Sequence, residues 1–485
     1  MTAPFTAKRI GLFLGPLAFA ITAFVSPPAA MSAEAWLVAG LVVWMAAWWM
    51  TEAVPLPVTA LLPFVCLPLA GVMTARETAS AYYAPILFLL LGGAFIALAI
   101  ERTGLHRRLS LAILKAIGSE GGQVRLLLAF MISAAVLSGL ISNTSTTLIM
   151  MPMALAVLAG GASLQSAEGP AETSGIYGAL PMGIAFAATI GGLGTIVGSP
   201  TNGIAVQLLD DMIGLEISFA QWMIFGMPIV LIGVPLACAI ISKVQKVNAH
   251  PFDVAAARTA IDDHTAWTPA EKRLVPIIAI TFALWMTRRW VAPYLPEGSW
   301  TDGTIAVIAA LSLFLLPDGT RDNGKTRPLL NWREADRAPW GVILMFGGGL
   351  ALAAGMQASG LADWLGQSLL PLETLPLVIV ALAVVAMVVL VTEFASNVAT
   401  ASAIIPVVAS LAAGLGLGEA AILIAMPAAL AASWGFILPA GTGPNAIAWS
   451  TGRLRIEKLV RAGLVLDILG IFLIVGLVWG MAALV

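Results

Sequence analysis

Two polar clusters sit inside stretches otherwise too apolar for water: Leu140-Ile141-Ser142-Asn143-Thr144-Ser145-Thr146-Thr147-Leu148 and Phe394-Ala395-Ser396-Asn397-Val398-Ala399-Thr400-Ala401-Ser402. An amide left unpaired in hydrocarbon costs several kcal/mol, so an Asn held there has a ligand or a partner. Hydroxyls, amide oxygens and freed backbone carbonyls are the donors a hard cation takes. Hydroxyls, amide nitrogens and helix amino termini are what an anion takes. Two such clusters in matching halves of a chain read as the two sides of one binding site.

The elements that must carry these clusters are membrane helices. Hydrophobic residues make up 60% of the 485-residue chain and charged residues 10%, against about 25% charged in an ordinary soluble domain. The fold expected is an all-α polytopic membrane protein. Eleven spans are expected, near 9–25, 35–53, 56–71, 83–100, 177–206, 222–243, 271–290, 303–317, 339–356, 419–450 and 461–485. Segments 125–160 and 375–412 are special: either one, drawn as a single helix, would be roughly 55 Å long against a bilayer core of about 30 Å. Each is expected to turn back at its Ser-Asn cluster as a re-entrant hairpin, irregular backbone being tolerated at membrane depth where protein or a water-filled cavity covers it. The first run follows Lys8 and Arg9 without a small-residue cleavage site leading to a soluble domain, so no cleaved signal peptide is expected. Cys66 and Cys238 lie in apolar runs, which implies neither a disulfide framework nor a thiolate metal site.

Basic residues test this threading. With the amino terminus cytoplasmic and the hairpins not crossing, segments 1–9, 101–125, 243–273, 318–338 and 452–461 lie inside and hold 21 of the 24 Lys and Arg, leaving Arg76, Arg288 and Arg289 outside. One missed span would invert everything after it, so this bias supports the count and an extracytoplasmic carboxyl terminus in the inner, or plasma, membrane.

The threading also exposes a repeat. Gly92, Gly93, Gly104 and Leu105 match Gly348, Gly349, Gly360 and Leu361 at a constant offset of 256, and Ser142-Asn143 matches Ser396-Asn397 at an offset of 254. Gly198-Ser199-Pro200-Thr201-Asn202 likewise resembles Gly441-Thr442-Gly443-Pro444-Asn445. Pro and Gly late in an apolar run unwind a helix and free its backbone groups for ligands. An odd number of crossings per copy makes the copies inverted, which is secondary-transporter architecture. The expected organisation is an amino-terminal helix in 1–34, a first repeat over 35–243 and a second over 271–485. A scaffold would be formed by 35–117 and 222–356, and a transport unit by 125–206 and 375–450.

At these residues the chain resembles the divalent anion:sodium symporters, which carry di- and tricarboxylates or sulfate. The resemblance rests on Ser142-Asn143-Thr144 and Ser396-Asn397-Val398 as paired hairpin tips. Thr51-Glu52-Ala53-Val54-Pro55-Leu56-Pro57 and Ser433-Trp434-Gly435-Phe436-Ile437-Leu438-Pro439, leading into Pro444-Asn445, extend it over nearly the whole chain. It implies one sodium site around Ser138, Ser142, Asn143 and Gly198, and a second around Thr392, Ala395, Asn397 and Gly441. Asn143, Thr144, Ser199, Asn397, Val398, Thr442 and Gly443 would face the substrate carboxylates. It implies sodium as coupling ion with no organic cofactor, an elevator movement and a homodimer joined through the scaffolds. Val398 departs from the pattern, standing where the family triplet often has Thr, and removes one donor. With no Arg or Lys in the tip segments, the anion falls to hydroxyls, amides, helix amino termini and bound cations.

Plainer readings stand beside these. Ser, Thr and Asn in a membrane helix commonly make interhelical hydrogen bonds, and it is the duplication that argues for ligands here. Gly92-Gly93 and Gly347-Gly348-Gly349 read as close-packing positions. Glu52, Glu393 and Asp467 are carboxylates at or near membrane depth, better read as supporting groups than as ligands. His106, His250 and His264 fall in loops, and tryptophans such as Trp48, Trp49, Trp285 and Trp290 read as interfacial anchors. No His-rich metal set, Ser-Lys or Ser-His pairing or paired aspartates point to an enzyme, and nothing points to nucleic acid. The reading is a sodium-coupled importer of small dicarboxylates such as succinate, malate or fumarate. Its alternatives are a sodium-independent exchanger, a symporter of sulfate or another divalent anion and, from a different class, an anion channel.

Overall fold

The computed structural model describes residues 6–118, 121–161, 173–259, 266–322, 325–439 and 441–484; His264 lies outside them. Among the described residues, ten helices are long and apolar enough to cross a membrane. The first half runs α1 (Ala7–Phe24), α2 (Ala33–Thr51), α3 (Leu56–Thr59), α4 (Leu62–Leu69), α5 (Ala75–Ala81), α6 (Ile86–Thr103), α7 (Leu105–Gly118), α8 (Gln123–Ser138), α9 (Asn143–Gly160), α10 (Ile176–Gly192), α11 (Pro200–Ile213) and α12 (Phe219–Gln245). After α13 (Val254–Thr259) come α14 (Pro269–Val291), α15 (Asp302–Leu315), strands β1 (Pro317–Asp322) and β2 (Lys325–Pro328), and α16 (Trp332–Ala335). The chain ends with α17 (Trp340–Ala358), α18 (Leu361–Leu369), α19 (Leu377–Phe394), α20 (Asn397–Gly414), α21 (Ile422–Ala431), α22 (Gly443–Ser450) and α23 (Ile456–Ala482).

Both special segments are helix-turn-helix. Ser142 (φ −65°, ψ 150°) and Ser396 (φ −63°, ψ 144°) are extended, and their hydroxyls cap α9 and α20 by accepting from Ser145 N at 3.2 Å and Ala399 N at 3.3 Å. A Ser with that geometry starts a helix rather than continuing one. Ser133 and Met150, about equally far from the first tip, approach to 3.9 Å across the hairpin, so its arms run antiparallel. The spans expected over 177–206 and 419–450 are broken as their Pro and Gly content predicts, into α10 and α11 and into α21 and α22. The span expected over 56–71 is broken too, into α3 and α4, with Pro57 and Pro63 each at the start of its piece. The amphipathic α7 and α18 lie outside the expected spans. Each follows a glycine at φ +79°, Gly104 and Gly360, where the chain turns sharply out of the preceding helix. The antiparallel pair β1–β2 is a small exception to the all-α expectation, confined to a loop.

The basic segments gather at one end. Arg102 pairs with Asp318 and, at 3.1 Å, with Glu334; Arg108 pairs with Glu271 at 2.8 Å; Lys458 donates to Gln245 Oε1 at 3.1 Å; and Gln123 donates to His250 O at 2.7 Å. Four of the five segments expected inside are therefore stitched to one another by side chains. Glu52, the α2 C-cap, is exposed beside Lys8 at 3.8 Å.

The halves pack crosswise. A Cβ on Gly92 of α6 would meet Ala306 of α15 at 2.7 Å, and one on Gly348 of α17 would meet the Ala60 carbonyl between α3 and α4 at 2.4 Å. Equivalent glycines thus admit the backbone of the opposite half. In the same manner α11 lies on α20, and α22 on α9. Helix α12, which falls in the 222–356 segment expected to form the scaffold, packs against α8, α10 and α23. Gly226 presses it onto the Leu193 carbonyl and Gly233 onto Trp434, which seats it on both helix breaks beside the hairpins.

Candidate functional site

Four helices begin at one cavity of about 430 Å³. Its wall contains Ser142 to Ser145 at the start of α9, Ser199 to Thr201 at the start of α11, Ser396 to Val398 at the start of α20 and Gly441 to Pro444 at the start of α22. Of the residues expected to face substrate, Asn143, Thr144, Ser199, Asn397, Val398, Thr442 and Gly443 all line it. The opposite wall is apolar, from Leu90, Gly93, Ala94, Ala97 and Leu98 of α6 and Val342 and Ile343 of α17. Amino termini carry roughly half a positive charge each and unsatisfied N–H groups, so four together make a site for an anion with two negative ends. Gly443 is needed where it stands: a Cβ there would lie 2.6 Å from the Thr144 hydroxyl.

Behind the first tip is a cluster of oxygens. With its amide turned to satisfy its neighbours, Asn143 donates to Ser138 Oγ at 2.7 Å, Gly198 O at 3.1 Å and Ala188 O at 3.2 Å. The opposite orientation puts Oδ1 among those same oxygens. There Oδ1 accepts from Ser138 Oγ at 2.7 Å, and a nest of hydroxyl, amide and carbonyl oxygens of this kind suits a hard cation such as sodium. Ser138, Asn143 and Gly198 of the expected set are brought together, and the Ala188 carbonyl joins them. Ser142 is engaged in the helix cap, its hydroxyl donating to Ser145 Oγ at 2.9 Å. Behind the second tip, Thr392 donates to Asn397 Oδ1 at 3.0 Å and to Ala432 O at 2.7 Å, and a Cβ on Gly441 would meet Glu393 O at 3.1 Å. Ala395 is the extended C-cap of α19, buried beside them. The breaks are held alike: Asn202 Nδ2 donates to Thr195 O at 2.8 Å and Asn445 Nδ2 to Leu438 O at 3.2 Å, and both amide oxygens are buried without a partner.

This arrangement of two capped tips and two broken helices can be set beside known proteins. The family model described as the sodium:sulfate symporter transmembrane region matches residues 7–485. The chain belongs to that family. The sodium-dependent dicarboxylate transporter SdcS of Staphylococcus saprophyticus is 36% identical over 482 residues, spanning 97% of this chain and 91% of its own. SdcS of Staphylococcus aureus strain bovine RF122 is 36% identical over 482 residues, 98% of this chain and 92% of its own. The crystal structure of the Alcanivorax borkumensis YdaH transporter superposes with a TM-score of 0.57 over 87% of this chain and 88% of that one at 15% identity, a likeness of fold.

As a member of the sodium:sulfate symporter family the chain is a multi-pass membrane transporter and not an enzyme. Several of its site residues escape sequence reasoning. The carbonyls of Ala188 and Ala432 carry no side-chain signal. Arg337, exposed and lining the cavity together with Glu101, comes from the loop before α17, far in sequence from either tip. Glu393 is buried and accepts from Ile437 N at 3.0 Å and Leu438 N at 2.9 Å, which is the supporting role expected of it. Trp49 and Trp285 are buried rather than interfacial; Trp285 stacks on Phe219 at 4.2 Å and donates to Asp302 O at 3.0 Å. His106 lies in the first turn of α7 instead of a loop, its Nδ1 3.1 Å from Ile100 O. A larger cavity of about 640 Å³, lined by Arg288, Arg289, Asp210 and Glu216, contains none of the tip residues.

Proposed function

We propose that this symporter imports small dicarboxylates such as succinate, malate or fumarate, driven by sodium. The observation that carries the reading is the convergence of four helix amino termini on a cavity whose tip walls lack Lys and Arg. A dianion held there relies on hydroxyls and N–H groups, with sodium in the two oxygen nests supplying the missing positive charge. Ser138, Asn143 and Gly198 would ligate the first ion; Thr392, Ala395, Asn397 and Gly441 would surround the second. Asn143 and Asn397 each belong both to a nest and to the cavity wall, so ion and anion are coupled through the same amides. The names of the SdcS relatives support dicarboxylate over sulfate.

Transport follows as an elevator movement of two inverted repeats. The moving body would be α8 to α12 with α19 to α23, extending the 125–206 and 375–450 segments by the helices that clasp the breaks. The frame would be α1 to α6 with α14 to α17, paired with a second copy in a homodimer. Glycine seams support sliding: Gly93 of α6 faces Val197, and Gly349 of α17 faces Ser402 of α20. The cavity reaches Glu101 and Arg337 at the basic end, which corresponds to a cytoplasm-facing state in the inner membrane. Uptake of labelled succinate into proteoliposomes, with and without an inward sodium gradient, tests the reading. Accumulation only with the gradient is expected; equal counterflow without sodium would make the chain an exchanger, and non-saturating flux a channel.

A further inference from the structure

The tip walls of the cavity carry no Lys or Arg, yet one guanidinium reaches it from elsewhere, that of Arg337. Its place is set by the last turn of α6, where Glu101 lines the cavity and its neighbour Arg102 turns to the stretch before α17. The Arg102 guanidinium donates to Pro328 O at 3.0 Å and to Leu329 O, and pairs with Asp318 and, at 3.1 Å, with Glu334. Glu334 in turn closes a capping box with Asn331 that starts α16. Leu329, Leu330, Ala335 and Ala338 are buried in one apolar cluster with Ala99 and Ile100 of α6. The stretch is therefore pinned to α6 on both sides of Glu334. Arg337 N donates to Glu334 O at 3.2 Å, so the residue that follows this anchor is held at the cavity wall with Glu101.

Among the described residues, neither the Arg337 nor the Glu101 side chain has a hydrogen-bond or ion-pair partner, whereas Arg102 and Arg327 are taken up by Asp318 and Glu334. Structure consumes the other guanidiniums of this end and leaves this one facing the cavity. The volume of about 430 Å³ falls in the class that houses drug-sized ligands, about 300 to 1,000 Å³, so a small divalent anion at the tips leaves room beyond it. We propose that Arg337 is an outer anion subsite at the basic end of this cavity, receiving one end of the divalent anion on its way to or from the tips. A guanidinium forks onto a carboxylate or a sulfate with two parallel N–H groups. Glu101 faces the same space and opposes the hold, which keeps the subsite weak enough to release what it takes. Both residues come from α6 and the stretch before α17, not from the tip helices, so the subsite serves the face to which the cavity reaches and not the opposite one.

Exchange of labelled succinate in membrane vesicles of known sidedness reads the subsite, at high sodium and with the opposite side saturated. Arg337→Gln should lower the rate at sub-saturating succinate on the cytoplasmic face by about two- to fivefold, the contribution of an exposed ion pair. The other face should be unchanged, and Glu101→Gln should raise the cytoplasmic rate. Added potassium chloride should bring wild type toward Arg337→Gln, since salt screens an exposed charge. Arg333→Gln removes an exposed guanidinium of the same stretch that does not line the cavity, and should behave as wild type. No change in Arg337→Gln, an equal change at both faces, or the same change in Arg333→Gln overturns the proposal. A change confined to the outer face keeps the subsite and reverses the orientation. The inference rests on the cargo being a small divalent anion, and failure of the dicarboxylate reading looks different: wild type would exchange no succinate. The same series with labelled sulfate then reads the subsite, because a guanidinium recognises charge rather than a carbon chain; exchange of neither anion overturns both.

Discussion

The first and second halves of the molecule place the same elements at the same cavity but hold them differently. The first tip is tied to its break by neutral hydrogen bonds, Thr195 to Gly139 O and Asn143 to Ser138, Gly198 and Ala188. The second is tied by a buried carboxylate reaching two backbone amides across 44 and 45 residues of sequence. A neutral hydrogen bond contributes about 1 kcal/mol, whereas one to a charged group contributes about 1.5 to 3 kcal/mol and leaves a costlier orphan when cut. The second half therefore concentrates its stability in one group, and the first spreads it over several. Matching elements at one cavity do not enforce matching energetics, because each half needs only to present its amino termini at the same place.

The sharpest way to break the comparison is topological, since an inverted relation of the halves is all or none. Single cysteines at Asp336 and Leu484, in a background lacking Cys66 and Cys238, should label from opposite sides of the membrane; both labelling from one side would end the inverted reading. Next in size is the pair Glu393→Ala and Thr195→Val. The first strands Ile437 N and Leu438 N in the interior and should cost several kcal/mol at about 1 to 3 kcal/mol per orphaned group, against about 1 kcal/mol for the second. Thermal melting in detergent checks this, and equal losses would mean the carboxylate tie is no stronger than the hydroxyl one.

A smaller, functional contrast lies in the two amides. Asn143→Ala and Asn397→Ala should each weaken sodium and succinate binding together, by about tenfold or more, since each amide is proposed to serve both ligands and the factor by which sodium favours succinate is the factor by which succinate favours sodium. Asn143 has three oxygens around it and Asn397 engages Thr392, so the first variant should be the weaker binder. A sodium titration of succinate binding decides it, and loss of yield with unchanged affinities would make the amides structural. Val398→Thr restores the hydroxyl that Thr144 has in the other half and should change the ranking of dicarboxylates by length, by at most about 1.5 to 3 kcal/mol before desolvation is subtracted. An unchanged profile in competition uptake would remove this position from the substrate wall.

The smallest effect concerns the loops, where β1–β2 of the second half has no counterpart among the described residues of the first. Burial pushes the Asp318 carboxyl up, but hydrogen bonds from Thr320 and the Arg102 guanidinium outweigh it and hold it below the usual carboxylate range. A lowered carboxyl stabilises the fold above its ordinary value and stops doing so as pH falls through the lowered one. Asp318→Asn should thus lower the melting temperature slightly at neutral pH, and the difference from wild type should close in acid. A gap that persists or widens in acid would show that the ion pair is not its source.

Much of this was legible in residue order. Span lengths, the two turn-back points at Ser142 and Ser396, the breaks at Gly198–Asn202 and Gly441–Asn445 and the sorting of basic residues follow from local causes: hydrocarbon thickness, capping by a short hydroxyl, proline's missing N–H, and charge excluded from lipid. Such causes act within a few residues and can be read there. The Ala188 and Ala432 carbonyls, the reach of Arg337 to the cavity, the seating of α12 on both breaks and the hold of Glu393 on Ile437 N and Leu438 N could not be read in this way. A carbonyl has the same chemistry at every position, and whether one faces a ligand depends on which distant helix packs over it. Glu393 and Leu438 are 45 residues apart, and the glycines Gly463 and Gly470 that seat α23 on the second break look like any others in an apolar run. Sequence by itself determined which segments are apolar helices, where two of them turn back and where two break; tertiary packing decided which oxygens converge, because those contacts exist only once the opposite half is in place.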